Sequence, residues 1–461
     1  MNYTAKQIEF IEQARESISN ESHSRLSPIT QEALQRNNFV FDAHCHVFDS
    51  KCINVKYLIL RMIAGVPEML KPILYKILTG NTMGEELKIV AKEELVESIY
   101  DEFDFLSNTK DVTSFIEEME INLDSVELEM NTANKIGLSK LGVGEFLKRY
   151  RYILSLLKSA KMEDVYKSFR DKYGVHGIVS EMNEKEYELI TIILGMDLNI
   201  AWDDSIEKSQ QEQIRELGLL ASKYPVLPFL PLDPRRVGTE NDLYETFLNA
   251  FSTDHPSFFG VKCYPALGYL PTDSRLKPIF QICAEKNIPV MTHCGGESVS
   301  TFINPILVDR NGVEEQINLN SRKARARFLN EPREWIDVLK IFPELRLCFG
   351  HFGSGKAWSE PNSIYFKRVQ IILDLMKEYR NVYADFSYNI ESSIATSNFI
   401  TKLTQLNSDG DLMRTKTMFG TDFWVVLPMS DLNLDQRMFL DKLGELKDNL
   451  LRINVLSYLN L

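Results

Sequence analysis

The segment FDAHCHVFDS, residues 41–50, sets two histidines one residue apart at the end of an apolar run. An extended strand sends alternate side chains to one face, which would stand His44 and His46 about 6–7 Å apart at their Cβ atoms. Two imidazoles at that spacing can converge on one cation. They can equally be two polar residues on the wet face of an edge strand. The chain has only seven histidines, so the placement of the others decides between these readings.

A regular rhythm runs through the rest of the chain. Short apolar runs end in polar or glycine-rich residues, and each is followed by a helix-like segment. After the first, NFVFDAHC with its second histidine, come HGIVSEMN (176–183), VLPFLPLDPRR (226–236), FFGVKCYPALGY (258–269) and PVMTHCGG (289–296). LRLCFGHFG (345–353), VYADFSYN (382–389) and TMFGTDFW (417–424) complete the set. Strands alternating with helices imply βαβ units and a parallel sheet. Eight such repeats predict an α/β fold, a (β/α)8 TIM barrel with a large helical insertion after strand 1. A doubly wound open sheet is the alternative, but no glycine-rich dinucleotide fingerprint follows the first strand.

The predicted organisation is an N-terminal helical extension over 1–38, a barrel over 39–50 and 166–461, and a helical insertion over 51–165. The insertion is rich in Leu, Ile, Met, Glu and Lys at helical spacing, as in MGEELKIVAKEELVESIYDEF. A structureless loop of that length is improbable inside a compact domain.

In such a barrel the active site lies at the C-terminal ends of the strands. His44 and His46 end strand one, His293 strand five, His351 strand six and Asp422 strand eight, while strand four carries Lys262. Four histidines and an aspartate on one rim point to a metal site. Imidazole nitrogens with one carboxylate suit Zn, Mn, Fe or Co rather than the all-oxygen sites of Ca or Mg. His23 and His255 sit in helical or loop contexts and His176 opens a strand at the opposite end, so these three carry no chemistry here.

Charge and composition narrow the partners. A formal charge of −13 argues against nucleic acid, whose phosphates need a basic surface. The window VKYLILRMIAGVPEMLKPILYKIL is broken by Lys56, Arg61, Glu68, Lys71, Lys76 and two prolines, too interrupted for a membrane span. The N-terminal stretch MNYTAKQIEFIEQARES shows no export signal. Six scattered cysteines without a C-x-x-C pair read as buried thiols of a reducing compartment, hence a cytoplasmic protein. A homo-oligomer is left open.

Taken together, FDAHCHVFD, GVKCYP, PVMTHCGG, EPREWIDVLKIFPELRLCFGHFGSGKAW and MFGTDFW resemble the amidohydrolase superfamily. The resemblance is to its amidohydrolase-related branch, which includes aminocarboxymuconate-semialdehyde decarboxylase. It spans residues 39–50 and about 175–425, and the 51–165 insertion is longer than that branch carries. It implies that His44, His46, His293 and Asp422 ligate one divalent metal, zinc first among the candidates. His351 would be the neighbouring acid/base or a further ligand, and Asp422 would orient or deprotonate a metal-activated water.

Lys262 is open between three readings: a carbamate bridging two ions, a cation holding an anionic substrate group, or a plain strand lysine. Arg235 and Arg236 would clamp a carboxylate or pair with the acidic surface. Tyr264, Tyr269 and Trp424 would wall the pocket or pack the loops. The basic segment SRKARARF (321–328) reads as a solvated helix face, with substrate attraction as the alternative.

The function expected is a metal-dependent hydrolase acting on a small, anionic or neutral organic substrate. Non-oxidative decarboxylation of an unsaturated or aromatic acid is the alternative, then sugar-acid isomerisation. A non-catalytic binding protein would have no chemical reason to keep the full ligand set.

Overall fold

The computed structural model describes residues 3–36, 38–53, 73, 76–77, 112–133, 143–159, 161–182, 187–202, 206–252, 257–296, 299–424, 426–427 and 431–461. Two compact units emerge. The larger comprises Met1–Val47, Phe169–Phe423 and Leu432–Leu461, and the smaller Phe48–Ser168 with Trp424–Asp431.

The larger unit is built on eight parallel strands. They are β1 (Phe39–Cys45), β2 (Glu188–Leu194), β3 (Val226–Leu232), β4 (Gly260–Cys263), β5 (Val290–His293), β8 (Leu347–Gly350), β9 (Val382–Phe386) and β10 (Thr417–Phe419). Their order in the sheet follows the chain, β1-β2-β3-β4-β5-β8-β9-β10, with helices between. This is the (β/α)8 barrel. An antiparallel hairpin, β6 (Ile306–Arg310) with β7 (Val313–Ile317), interrupts the long connection after β5.

One strand differs from the reading of the sequence. HGIVSEM is helical, inside the turns Arg170–Ile178 and Val179–Met182, and the second strand is ELITIIL at 188–194. The physical reason is plain in the residues. ELITIIL is rich in β-branched side chains, which pack well on a pleated surface, whereas HGIVSEMN is half polar and carries a glycine at its second position. His176 therefore lies in a helical turn, not at a strand start. His23 is exposed, and His255 lies outside the described residues.

The barrel floor is apolar. Phe39, Phe41, Ala43, Ile190, Ile192, Leu227, Phe229, Met291 and Tyr383 form one buried cluster with Val455, Tyr458 and Leu459 of the C-terminal helix. The N-terminal helix Ala5–Ser17 packs Phe10 on Tyr244, their rings stacked at 4.6 Å.

The first and last strands of the barrel meet through the residues just past β10. Thr421, just past β10, donates its backbone N–H (2.9 Å) and its hydroxyl (2.6 Å) to the Asp42 carboxylate of β1. Asp422 N–H donates to the His44 carbonyl at 2.7 Å. The two strands approach so closely at Gly420 that a Cβ there would sit 2.6 Å from the His44 backbone nitrogen. Only glycine fits that approach.

In the smaller unit, helices Val112–Ala133 and Val143–Leu157 contact each other, with Ile116, Met119, Leu123 and Val126 buried on one and Phe146, Tyr150, Ile153 and Leu154 buried on the other. The three- and four-residue spacing lays each set along one helical stripe. The predicted helix at 83–103 and most of the window 55–78 lie outside the described residues. Among the described residues no helix is long and apolar enough to cross a membrane.

Thr421→Val should cost about 1–3 kcal/mol, because it leaves a fully buried Asp42 oxygen without its hydroxyl donor. Thr421→Ser should recover most of that loss. Denaturant midpoints of the two variants provide the measurement, and a wild-type midpoint for Thr421→Val would remove Asp42–Thr421 from the closure.

Candidate metal centre

The local chain at the end of β1 is not a plain strand. The His44 N–H donates to Asp42 Oδ1 at 3.1 Å, and the pairing with β2 shifts register between Asp42 and Cys45. An irregularity of this kind re-aims the side chains that follow it. The His44 and His46 rings end 5.2 Å apart, edge to face at 71°.

Their hydrogens can be located from their partners. His46 Nδ1 lies 3.1 Å from the Leu194 carbonyl at the end of β2. A carbonyl only accepts, so the neutral ring carries its hydrogen on Nδ1 and its lone pair on Nε2. His44 Nδ1 lies 2.9 Å from Asp385 Oδ2, and the same reasoning puts its lone pair on Nε2. Both Nε2 atoms face Asp422 Oδ1, at 3.9 Å from His44 and 3.7 Å from His46. His44 Nε2 is buried and has no hydrogen-bond partner among the described residues. Burial pushes both imidazoles well below their ordinary pKa, which keeps them neutral as ligation requires.

Ligand atoms of His44, His46 and Asp422 all lie within 4.8 Å of one another, as do those of His44, His351 and Asp385. The first group is the one that fits a cation. In the second, Asp385 is already occupied by donors. Its Oδ2 accepts from His44 Nδ1 and, at 3.7 Å, from the Cys348 thiol; its Oδ1 accepts from the His351 backbone N–H at 3.0 Å and from the Ser387 hydroxyl. Asp385 therefore orients His44 from behind, the role a carboxylate commonly plays toward a ligating histidine.

His293, at the end of β5, stacks on Tyr264 with ring centres 4.1 Å apart. Its Nδ1 lies 3.1 Å from His351 Nε2, and its Nε2 is buried without a partner among the described residues. It stands beside the His44–His46–Asp422 group and is not one of the three atoms within that radius. His351 follows β8 with a left-handed φ of 61°. Its carbonyl accepts from Asn389 at 2.8 Å, and its Nδ1 is 3.9 Å from Asp422 Oδ2.

Lys262 of β4 points its ammonium into the same interior, 1 % exposed and with no hydrogen-bond partner among the described residues. Burial brings it down to about 8, against the pull of the Asp385 and Asp422 carboxylates, which favour the cation.

The remaining candidates are engaged elsewhere. Arg235 forks onto Asp233 at 2.9 and 2.5 Å and onto the Leu267 carbonyl at 2.8 Å. Arg236 forks onto Asp197 at 2.9 Å through two nitrogens. Tyr269 bridges the Leu232 carbonyl and the Tyr264 N–H, each at 2.7 Å. Trp424 belongs to the smaller unit, where it stacks on Phe48 at 5.2 Å and donates to its carbonyl. The basic segment forms the helix Arg322–Leu329, in which Arg325 is buried on the carbonyls of Thr301 and Leu319.

Sequence reasoning misses Asp385, Asp42 and Ser387. The available signal was a lone acid inside an otherwise apolar strand, as in VYADF and FVFDA, since a buried carboxylate persists only where donors surround it.

The fold and these side chains define a (β/α)8 barrel with a histidine–aspartate group at the C-terminal ends of its strands that can take a cation. Residues 252–452 match the family model described as amidohydrolase, a stretch that contains Lys262, His293, His351, Asp385 and Asp422. Similar solved structures include an uncharacterised TIM-barrel protein from Bordetella bronchiseptica (16% identity, 62% of this chain and 83% of that one, TM-score 0.40). The 4-oxalomesaconate hydratase of Rhodopseudomonas palustris is similar over 66% of this chain and 85% of its own, at 13% identity and TM-score 0.40. The dihydroorotase of Campylobacter jejuni is similar over 62% and 78%, at 17% identity and TM-score 0.31. No curated protein matches.

Titration of chelator-treated protein with Zn²⁺ should show about one tight equivalent, and His44→Ala or His46→Ala should each weaken it sharply, because a small tetrahedral site tolerates no lost ligand. Undiminished zinc affinity in both variants would exclude the H-x-H pair from the site.

Proposed function

We propose that this protein is a metal-dependent hydrolase of the amidohydrolase superfamily that acts on a small organic substrate through an activated water. The observation that carries the reading is the convergence of two neutral Nε2 lone pairs, His44 and His46, on one Asp422 oxygen. We assign His44, His46, His293 and Asp422 as ligands of one divalent ion, with zinc first and Mn, Fe or Co as alternatives. When bound, such an ion supplies Lewis acidity and lowers the pKa of a water molecule toward neutrality.

The residues of the chain do the rest. The Asp422 carboxylate orients the attacking water and takes its proton. His351, which neighbours Asp422, is the proposed acid/base of the site. Lys262 adds a buried positive charge beneath the site, which favours an anionic substrate or a developing oxyanion. With Arg235 and Arg236 committed to internal carboxylates, Lys262 is the stronger of the proposed anion anchors. A reducing cytoplasmic setting is consistent with six buried cysteines, none of them in a disulfide.

The test is turnover, with and without added metal, on a panel of amides, esters, lactones and unsaturated carboxylic acids. Hydrolysis that follows metal content supports the proposal. Metal-dependent CO2 release without hydrolysis would replace it with the decarboxylase reading, and no turnover by metal-loaded protein on any class would favour a binding role.

Two variants probe the roles. At saturating metal, His351→Asn should keep its bound equivalent and lose at least about two orders of magnitude in rate, the usual scale for a general acid/base. Lys262→Met should bind metal at least as tightly as the parent chain, since it removes a like charge from beside the cation. A carbamate bridge at Lys262 predicts the opposite, a fall in metal stoichiometry.

A further inference from the structure

A chain of buried hydrogen bonds runs back from His293 and His351 to Ser387 and Asp385, two residues that the proposed chemistry does not use. Asp385 Oδ1 meets the Ser387 hydroxyl, Ser387 Oγ lies 3.0 Å from His351 Nδ1, and His351 Nε2 lies 3.1 Å from His293 Nδ1. Asp385 and Ser387 are fully buried, and His351 and His293 are 4 and 8 % exposed. No solvent is needed to complete the chain.

The direction of every hydrogen follows from one end. Each Asp385 oxygen faces two donors, including a backbone N–H that can only donate. A carboxylate accepts only, so Ser387 must give its single hydrogen to Asp385. Ser387 Oγ then has only lone pairs left for His351, which places the His351 hydrogen on Nδ1. A neutral His351 protonated there has a bare Nε2, so His293 must donate from Nδ1. The His293 lone pair is thereby forced onto Nε2, the atom that is buried without a partner.

We infer that Ser387 is a positioning residue that sets the tautomers of His351 and His293 and so presents the His293 Nε2 lone pair to a transition-metal ion. The inference rests on the metal-site reading for its consequence and on the hydrogen-bond chain alone for its content. His46 serves as an internal control, because the Leu194 carbonyl holds its tautomer without Asp385 or Ser387. Two histidines thus answer to Asp385, one directly and one through Ser387 and His351, whereas His46 answers to β2.

The experiment has two arms, both on the full chain. In the first, imidazole nitrogens of metal-free, ¹⁵N-histidine-labelled protein are observed by NMR, with the His293 signals assigned by their loss in His293→Gln. His293 Nε2 should resonate as an unprotonated nitrogen in the parent chain and in Ser387→Thr, and should shift toward the protonated type in Ser387→Ala. A protonated Nε2 in the parent chain, or no change in Ser387→Ala, overturns the inference whether or not the protein binds metal.

In the second arm, Zn²⁺ affinity is measured by chelator competition. Ser387→Ala should lose about 10–100-fold, the usual scale for removing a group that orients a metal ligand, and Ser387→Thr should restore it. In a His293→Ala background Ser387→Ala should cost little more, while in a His46→Ala background it should cost its full amount. Equal losses in both backgrounds would show that Ser387 does not act through His293. Absence of zinc binding by the parent chain would defeat the metal reading and leave the NMR arm to decide the tautomer.

Discussion

A carboxylate can accept hydrogen bonds and cannot give one, and at the centre of this barrel that asymmetry organises everything around it. Asp385 stands fully buried in β9 with donors at both oxygens. An ionised group in that position is sustained only by such a shell, because the desolvation it suffers is otherwise several kcal/mol. Once it is satisfied, its neighbours lose their freedom. His44 has one tautomer available, and the Ser387 hydroxyl, just past the strand, has one orientation. Asp42 plays the matching part in β1, where burial pushes its carboxyl up to about 7 against the donors of Thr421 and His44. Two acids that touch no substrate hold the geometry of the groups that would.

The backbone at the rim is also under constraint. His351 and Phe352 after β8, Tyr388 after β9 and Asp422 after β10 have φ between 41° and 61°. Non-glycine residues held there cost on the order of 1–3 kcal/mol each and persist only where the surroundings over-determine them. The pins are visible. Asn389 holds the His351 carbonyl, and Arg368 holds Gly353 and the Asn330 carbonyl at 3.1 and 2.5 Å. Asn330 in turn ties Gly295 to Ala266. The loops after β4, β5 and β8 are therefore tied to one another by buried polar side chains.

Charge is handled in the same internal way. A chain with a formal charge of −13 buries Asp197 and Asp233 under Arg236 and Arg235, so these arginines neutralise the protein's own acids. Lys262 has no such partner within hydrogen-bond reach, although it shares its interior with two carboxylates. A cation left in that condition is costly as structure alone. Under the proposed function, that charge is what would hold an anion in the space above it.

Much of this was readable in the chain. Period and composition locate seven of the eight barrel strands, and the end-of-strand positions of His44, His46, Lys262, His293, His351 and Asp422 follow from them. The strand at 188–194 escaped notice because HGIVSEMN offered a similar apolar run a few residues earlier, and only packing decides which of two short runs enters a sheet. The fork of Arg235 onto Asp233, the burial of Arg325 and the hairpin after β5 were likewise invisible, since each depends on partners distant in sequence. Above all, the sequence could list acids and histidines but not the direction of a single hydrogen. Tautomers are set by whether the atom opposite is an acceptor or a donor, and Asp385 faces His44 from 341 residues away. Residue types and their order on the strands determined what chemistry was available; the closed barrel, by choosing each group's neighbour, determined where each lone pair points.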